Sequence, residues 1–273
     1  MTTDLTTLSA QFASSDPGAV RAALQAVREE ISRRGSEQAR PLFEMVSSLF
    51  YIDPQDDPEL ATILDEAISL VTGFGPWVIP HLVENLDQGD LKAQMASAEA
   101  LGRIGADAVD PLIERYQATR DAERRAFVVY ALGKIRSPRV AKAADIALAA
   151  ARSPDLELRD TATRAIGRFA ASIPPGELGP AAVTGYYETL RKNLSDPNKG
   201  VKAKALRSLG KLARYGHLDE KRKGEMETIV LNLLGEDDEF RWDRAFVVRR
   251  EAREALEYFR DQTPADAQGP RGP

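Results

Sequence analysis

The 273-residue chain contains no cysteine. Disulfides, iron–sulfur ligation, zinc–thiolate sites and thiol nucleophiles are thereby excluded. Histidine is nearly as scarce. His81 and His217 are the only two imidazoles, each is followed by leucine, and neither has metal-ligand spacing. His81 reads as a helix-surface or packing residue, His217 as a loop residue. Also missing are a Walker-type glycine loop, a strand-borne Gly-x-Gly-x-x-Gly and a Ser/His/Asp set in a suitable context. The expectation is therefore no catalytic residue, no metal ligand and no cofactor. With 42 Asp and Glu in the chain, a pair such as Asp237-Asp238 reads as a solvated turn. No apolar run reaches the roughly 18 residues of a membrane helix. Met1-Thr2-Thr3-Asp4 lacks the basic and apolar regions of a secretory signal, which points to the cytoplasm. Strand-type alternation of useful length is absent as well.

What is present is repetition. Ala100-Leu101-Gly102-Arg103-Ile104 returns as Ala131-Leu132-Gly133-Lys134-Ile135, as Ala165-Ile166-Gly167-Arg168-Phe169 and as Ser208-Leu209-Gly210-Lys211-Leu212. The glycines stand 31, 34 and 43 residues apart, the period of helix-pair repeats. The long step contains Ser172 to Gly179, whose two prolines and two glycines cannot continue a helix and form a longer connection.

Upstream of each glycine an acidic turn precedes a helix: Asp90, Asp121, Asp155 and Asp196-Pro197, where an Asp can cap the N-terminus. The same grammar without the glycine occurs at Asp16-Pro17, Asp57-Pro58 and Asp243-Arg244. Between these helices lie apolar segments from about Leu5 to Ala13, Ala39 to Phe50, Trp77 to Leu86, Val109 to Gln117, Val140 to Ala150, Ala181 to Leu194 and Met226 to Leu234. In Val109, Leu112, Ile113 and Tyr116 the apolar set falls at helical spacing. The reading is about fourteen helices in about seven pairs. Each recurring glycine costs a helix about 1 kcal/mol relative to Ala, which close approach of a neighbouring helix would offset.

These residues resemble the HEAT-like repeats of the phycobilisome-lyase type: an acidic turn, Val-Arg, Ala, then Ala-Leu-Gly-basic-Ile/Leu. The resemblance is closest from Asp90 to Arg214. The first two repeats and the last carry Arg28, Ser69 and Glu257 near the glycine place, as suits terminal units. It implies an all-α fold, a right-handed α-solenoid over residues 1–260 as one domain, followed by a disordered tail over 261–273 rich in proline and glycine. It implies no activity by itself. Metal-dependent hydroxylases built on such repeats use His-Glu pairs, which this chain lacks.

In such stacks the second helix of each pair lines the concave side. In the last full repeat Val201, Ala205, Leu209 and Leu212 recur at core spacing, leaving Lys204, Arg207, Lys211 and Arg214 as a stripe away from it. Shifted back by the glycine spacing, the stripe becomes Thr161, Arg164 and Arg168, then Phe127, Tyr130 and Lys134, then Ala96, Glu99 and Arg103. One account is structural, since cations in a last helical turn complement the dipole by roughly 0.3 to 1 kcal/mol. It covers Arg103, Lys134, Arg168 and Lys211, but not Arg164, Lys204 or Arg207. Phe127, Tyr130, Lys134, Arg164, Arg168, Lys204, Arg207 and Lys211 are therefore the candidate groove-contact residues, favouring an acidic or anionic partner.

Trp77, after Pro76 at a helix start, reads as inter-repeat packing. Phe240 and Trp242 in an arginine-flanked loop fit either a cap on the solenoid end or an exposed hot spot. Arg-Ala-Phe-Val-Val occurs at Arg125 to Val129 and again at Arg244 to Val248, offset from the repeat, and carries no functional weight. Three function classes follow. The first is a non-catalytic protein-interaction scaffold or adaptor. The second is an accessory role in tetrapyrrole or cofactor-protein maturation, which the resemblance suggests and in which no cysteine could hold a bilin. The third is nucleic-acid binding, as in the DNA glycosylases built on HEAT-like repeats, with Lys204, Arg207, Lys211 and Arg214 on phosphates; a pI near 5.3 runs against it.

Overall fold

The computed structural model describes residues 4–56, 58–87, 89–237 and 242–260. Asp57, Asp238, Phe240 and the expected tail over 261–273 lie outside the described residues. The described chain is helical without strands, and divides into two compact units, one ending at Thr119 and one beginning at Arg120.

The first unit holds α1 (Leu5–Phe12), α2 (Pro17–Arg34), α3 (Arg40–Ser47), α4 (Ala61–Thr72), α5 (Ile79–Asn85), α6 (Leu91–Ile104) and α7 (Val109–Ala118). Asp4, Asp16 and Asp90 cap α1, α2 and α6, each accepting from backbone N–H groups of the first turn. Helix α4 packs on α2 and α6, while α1 packs on α3 and α5 on α7, so alternate helices form two layers around one core. Trp77 is packing, as expected: its ring lies edge-on to Phe43 and Phe74 at 5.6 and 5.8 Å, with Arg40 over it at 4.4 Å. His81 joins the same cluster, 5.6 Å from Phe43.

The second unit holds α8 (Ala122–Leu132), α9 (Ala144–Ala150), α10 (Leu156–Ala170), α11 (Pro180–Asn193), α12 (Lys199–Arg214), α13 (Glu220–Leu234) and α14 (Phe246–Arg260). Helices α8, α10, α12 and α14 pack in succession, and α9, α11 and α13 cover them. Fourteen helices among the described residues thus occupy the fourteen segments that the sequence marks. Asp121, Asp155 and Asp219 cap α8, α10 and α13. The cap of α12 is a correction. Asn198 takes the place of Asp196, accepting from Gly200 and Val201 at 2.8 and 3.3 Å. Asp196 is buried and committed to Arg159, 2.7 Å away in the preceding repeat.

Val201, Ala205, Leu209 and Leu212 are fully buried as their spacing predicts. Ala203, Leu206, Ser208, Gly210 and Ala213 are buried too, because α10 and α14 flank α12 on both sides. Each buried leucine stabilises by roughly 1.5 to 3 kcal/mol. The repeated glycine answers to contact distance. A Cβ on Gly167 would lie 2.8 Å from Ser208 Cα, and one on Gly210 would lie 3.2 Å from the Ala255 methyl. At Gly133 the corresponding contact, Ala165 Cβ at 3.5 Å, is ordinary. Buried polar groups pair locally: Ser208 Oγ donates to the Thr163 carbonyl at 2.8 Å, and Asn193 Nδ2 donates to Thr163 Oγ1 at 2.9 Å.

Candidate functional site

The eight candidate residues all fall in the second unit, on or next to α8, α10 and α12. At the α8 end, Tyr130 has the Lys134 ammonium over its ring at 5.2 Å and the Arg168 guanidinium at 5.9 Å. Arg168 also donates to the Gly133 carbonyl at 3.4 Å, tying α10 to the end of α8. Phe127 is half-buried on α8, one turn before Tyr130.

Lys204 and Arg207 have acquired partners from neighbouring repeats. The Lys204 ammonium meets Asp160 on α10. Arg207 donates to Glu251 on α14, with its Nε at 2.8 Å, and Arg250 reaches the same carboxylate at 2.9 Å. Glu251 is only 1 % exposed. Burial works to raise its carboxyl pKa, but the Arg207 and Arg250 hydrogen bonds outweigh this and hold it below the usual range. Lys202 and Asp243 close a similar link between α12 and the start of α14 at 2.7 Å.

Arg164 and Lys211 differ. Among the described residues neither makes a hydrogen bond or ion pair, and Arg136, just past α8, makes none either. Arg164 is exposed and Lys211 half-buried. Burial pushes the Lys211 ammonium down to about 8, and the guanidiniums of Arg168, Arg136, Arg207 and Arg164 push the same way. Lys211 is thus a half-buried cation that makes no ion pair among the described residues. A recess of about 190 Å³ opens beside it between α12 and α14, its polar wall formed by Arg207, Arg214, Glu251, Glu254 and Tyr258.

Sequence reasoning found the stripe and missed its counter-charges. Asp160 and Glu251 each stand 44 residues from the cation they hold, about one repeat away. An acidic residue one period distant on the adjacent second helix is the signal that would have found them. Arg136 lies after the repeated pentapeptide and no periodic position marks it.

Other expectations resolve separately. His217 follows α12 as a loop residue would, but it is buried, with Nε2 2.9 Å from the Ala170 carbonyl, and burial lowers its pKa. Trp242 is 58 % exposed beneath Arg249, whose guanidinium lies 4.1 Å from the ring centroid. Its backbone and Cβ lie against Gly235 at the end of α13, where a Cβ on the glycine would come within 3.1 Å of the Trp242 Cβ. No group of three His, Asp or Glu with metal-holding geometry occurs among the described residues. Nor is any single described helix long and apolar enough to cross a membrane.

Stacked helix pairs among the described residues define the class, an all-α repeat solenoid. Residues 79–167 match the family of HEAT repeats. No curated protein sequence matches the chain. Among solved structures, the complex of CpcE and CpcF of phycocyanin lyase from Nostoc sp. is similar, with a TM-score of 0.52 at 20 % identity, covering 66 % of this chain and 99 % of that one. A computationally designed armadillo repeat protein for modular peptide recognition gives 0.51 at 16 % identity, covering 92 % and 98 %. A chain of the Kap95p–RanGDP complex gives 0.58 at 17 % identity, covering 92 % of this chain and 35 % of that one. At these identities the likeness is one of fold.

Proposed function

We propose that the protein is a non-catalytic interaction scaffold that holds an acidic protein segment along the α8–α10–α12 face of its second unit. The observation that carries this reading is that Arg136, Arg164 and Lys211 make no hydrogen bond or ion pair among the described residues. A local positive face would favour an acidic partner and set its docking position. Phe127 and Tyr130 supply apolar contact; Lys134 and Arg168 add charge; Lys204 and Arg207, already paired, hold the frame. The same fold serves peptide recognition in the designed armadillo protein, which supports an extended segment as occupant.

The test is a crosslinking pull-down with wild type and with Arg164→Glu/Lys211→Glu. A stoichiometric protein recovered by the wild type and lost by the variant, at unchanged helicity, supports the reading. No stoichiometric partner, or one retained by the variant, rejects it. A maturation role in tetrapyrrole chemistry stands second, supported by the fold likeness to CpcE and CpcF. An unchanged absorption spectrum on adding haem or a bilin disposes of it.

A further inference from the structure

We infer that the cleft between α11 and α13, in the helix layer that covers α8, α10, α12 and α14, receives a short acidic amphipathic helix from a partner protein. The cleft follows from how α11 is held. A Cβ on Gly185 would lie 2.8 Å from Leu148 Cδ2, so the glycine lets α11 close against α9. On its other side α11 is tied to α13 near the start of both helices. Tyr187 donates to Glu225 at 2.7 Å, and Arg222 donates to Thr184 Oγ1 at 2.8 Å with its guanidinium 5.3 Å from the Tyr187 ring. Beyond these ties the two helices leave a cleft of about 840 Å³, with Arg152, Glu188, Arg191, Lys192, Leu194 and Ile229 in its lining.

The lining selects its occupant. Three of these side chains are cations, and the one acid, Glu188, is engaged by Arg191 at 3.4 Å. Arg152 donates its Nε to Thr189 Oγ1 at 2.8 Å, which fixes the guanidinium and leaves both terminal nitrogens available to a carboxylate. Lys192 is exposed and makes no hydrogen bond or ion pair among the described residues. Leu194, buried, and Ile229, half-buried, supply apolar contact. No aromatic ring is among the described lining residues, so a nucleobase or a tetrapyrrole has nothing there to stack on. The volume suits about two turns of α-helix roughly 10 Å across, and an incoming helix would take a place in a layer already made of helices. Its apolar face would rest on Leu194 and Ile229, with acidic side chains beside that face meeting Arg152 and Lys192. The scaffold reading above uses the other layer of the same unit, so the two sites stand or fall separately.

The experiment measures fluorescence anisotropy of the full-length protein with a labelled helical peptide that carries leucines on one face and glutamates beside them, next to the same peptide with glutamine for glutamate. The glutamate peptide should bind about tenfold tighter, and a benzophenone on its leucine face should label α11 or α13. Arg152→Gln/Lys192→Gln should reduce the preference to within about twofold at an unchanged helical spectrum. Lys192→Gln alone, at an exposed side chain without a partner among the described residues, should reduce it about threefold and keeps the test open should loss of the Arg152 tie disturb packing. Failure of both peptides to bind, equal binding of the two, or a preference that these variants leave intact overturns the inference. Labelling of α8, α10 or α12 instead overturns it too, and supports the scaffold reading. Citrate that displaces the peptide at equal concentration reassigns the cleft to a small polyanion, and phosphatidylglycerol vesicles that displace it reassign the cleft to a membrane surface. Either result overturns the inference.

Discussion

Both units place arginine and lysine on their second helices, yet the first unit spends these charges internally and the second keeps some back. In the first, Arg21 on α2 meets Glu66 on α4 at 3.1 Å, and Arg103 on α6 is held by Asp65, by Ser69 at 2.6 Å and by Glu99 at 3.6 Å. In the second, Lys204 and Arg207 are matched in the same way, while Arg136, Arg164 and Lys211 have no such match among the described residues. A cation matched within the stack cements neighbouring layers and no longer offers its charge to a partner. Only an unmatched one attracts from a distance. The same repeat grammar therefore yields a neutralised face or a recognition face, depending on whether an acid occurs one period away.

The strongest way to break this contrast is Glu251→Gln, which strips Arg207 and Arg250 of a buried carboxylate. The expected loss is about 2 to 3 kcal/mol in urea unfolding, and Arg207 would join the unmatched set, tightening acidic-peptide binding. An unchanged midpoint would mean that the matched pairs do not cement the layers.

Lys211→Met should act in the opposite direction. The folded pKa of Lys211, about 8, lies below the 10.5 of a free lysine, so the unfolded chain binds more protons between these values. The penalty of charging Lys211 is complete below pH 8 and vanishes as the pH rises toward 10.5. The variant should gain about 1 kcal/mol at neutral pH, less than the full shift implies because the ammonium keeps contact with water. The gain should shrink above pH 8. A gain that is constant with pH would place its origin in packing rather than charge.

Asp65→Asn combined with Glu99→Gln sharpens the comparison from the other side by freeing Arg103. The cost should stay under about 1 kcal/mol, since these pairs are in contact with solvent. A photo-crosslinkable acidic peptide should then label α6, which it leaves unlabelled in the wild type. Smallest of all, Lys204→Gln should change stability by a few tenths of a kcal/mol in thermal unfolding. A drop above about 1 kcal/mol would rank the Asp160 pair with the Glu251 pair.

Element positions were largely legible in the chain. Apolar periodicity and acidic turns located all fourteen helices, because each helix buries one face against neighbours of the same kind. The Asn198 cap was missed since Asp and Asn compete for the role, and only the position of Arg159 shows that Asp196 is committed elsewhere. The burial of α12 on both flanks was hidden too. A one-helix pattern reports a single core face and is silent about flanking helices that approach over glycine. For the site, the stripe could be read because it lies on one helix. Whether each cation is matched could not, since the matching acids come from the repeats before and after. Lys211 and Arg207 look alike in sequence and differ only in what faces them across the layer.

Helix α12 holds both of its neighbours with adjacent turns: Lys204 reaches back 44 residues to Asp160, and Arg207 reaches forward 44 to Glu251. Pulling on the second unit along its stacking direction would load these two links in series on opposite sides of one helix. Helix α12 would then part from α10, across the Asp160 pair, before it parts from α14 across the buried Glu251 pair.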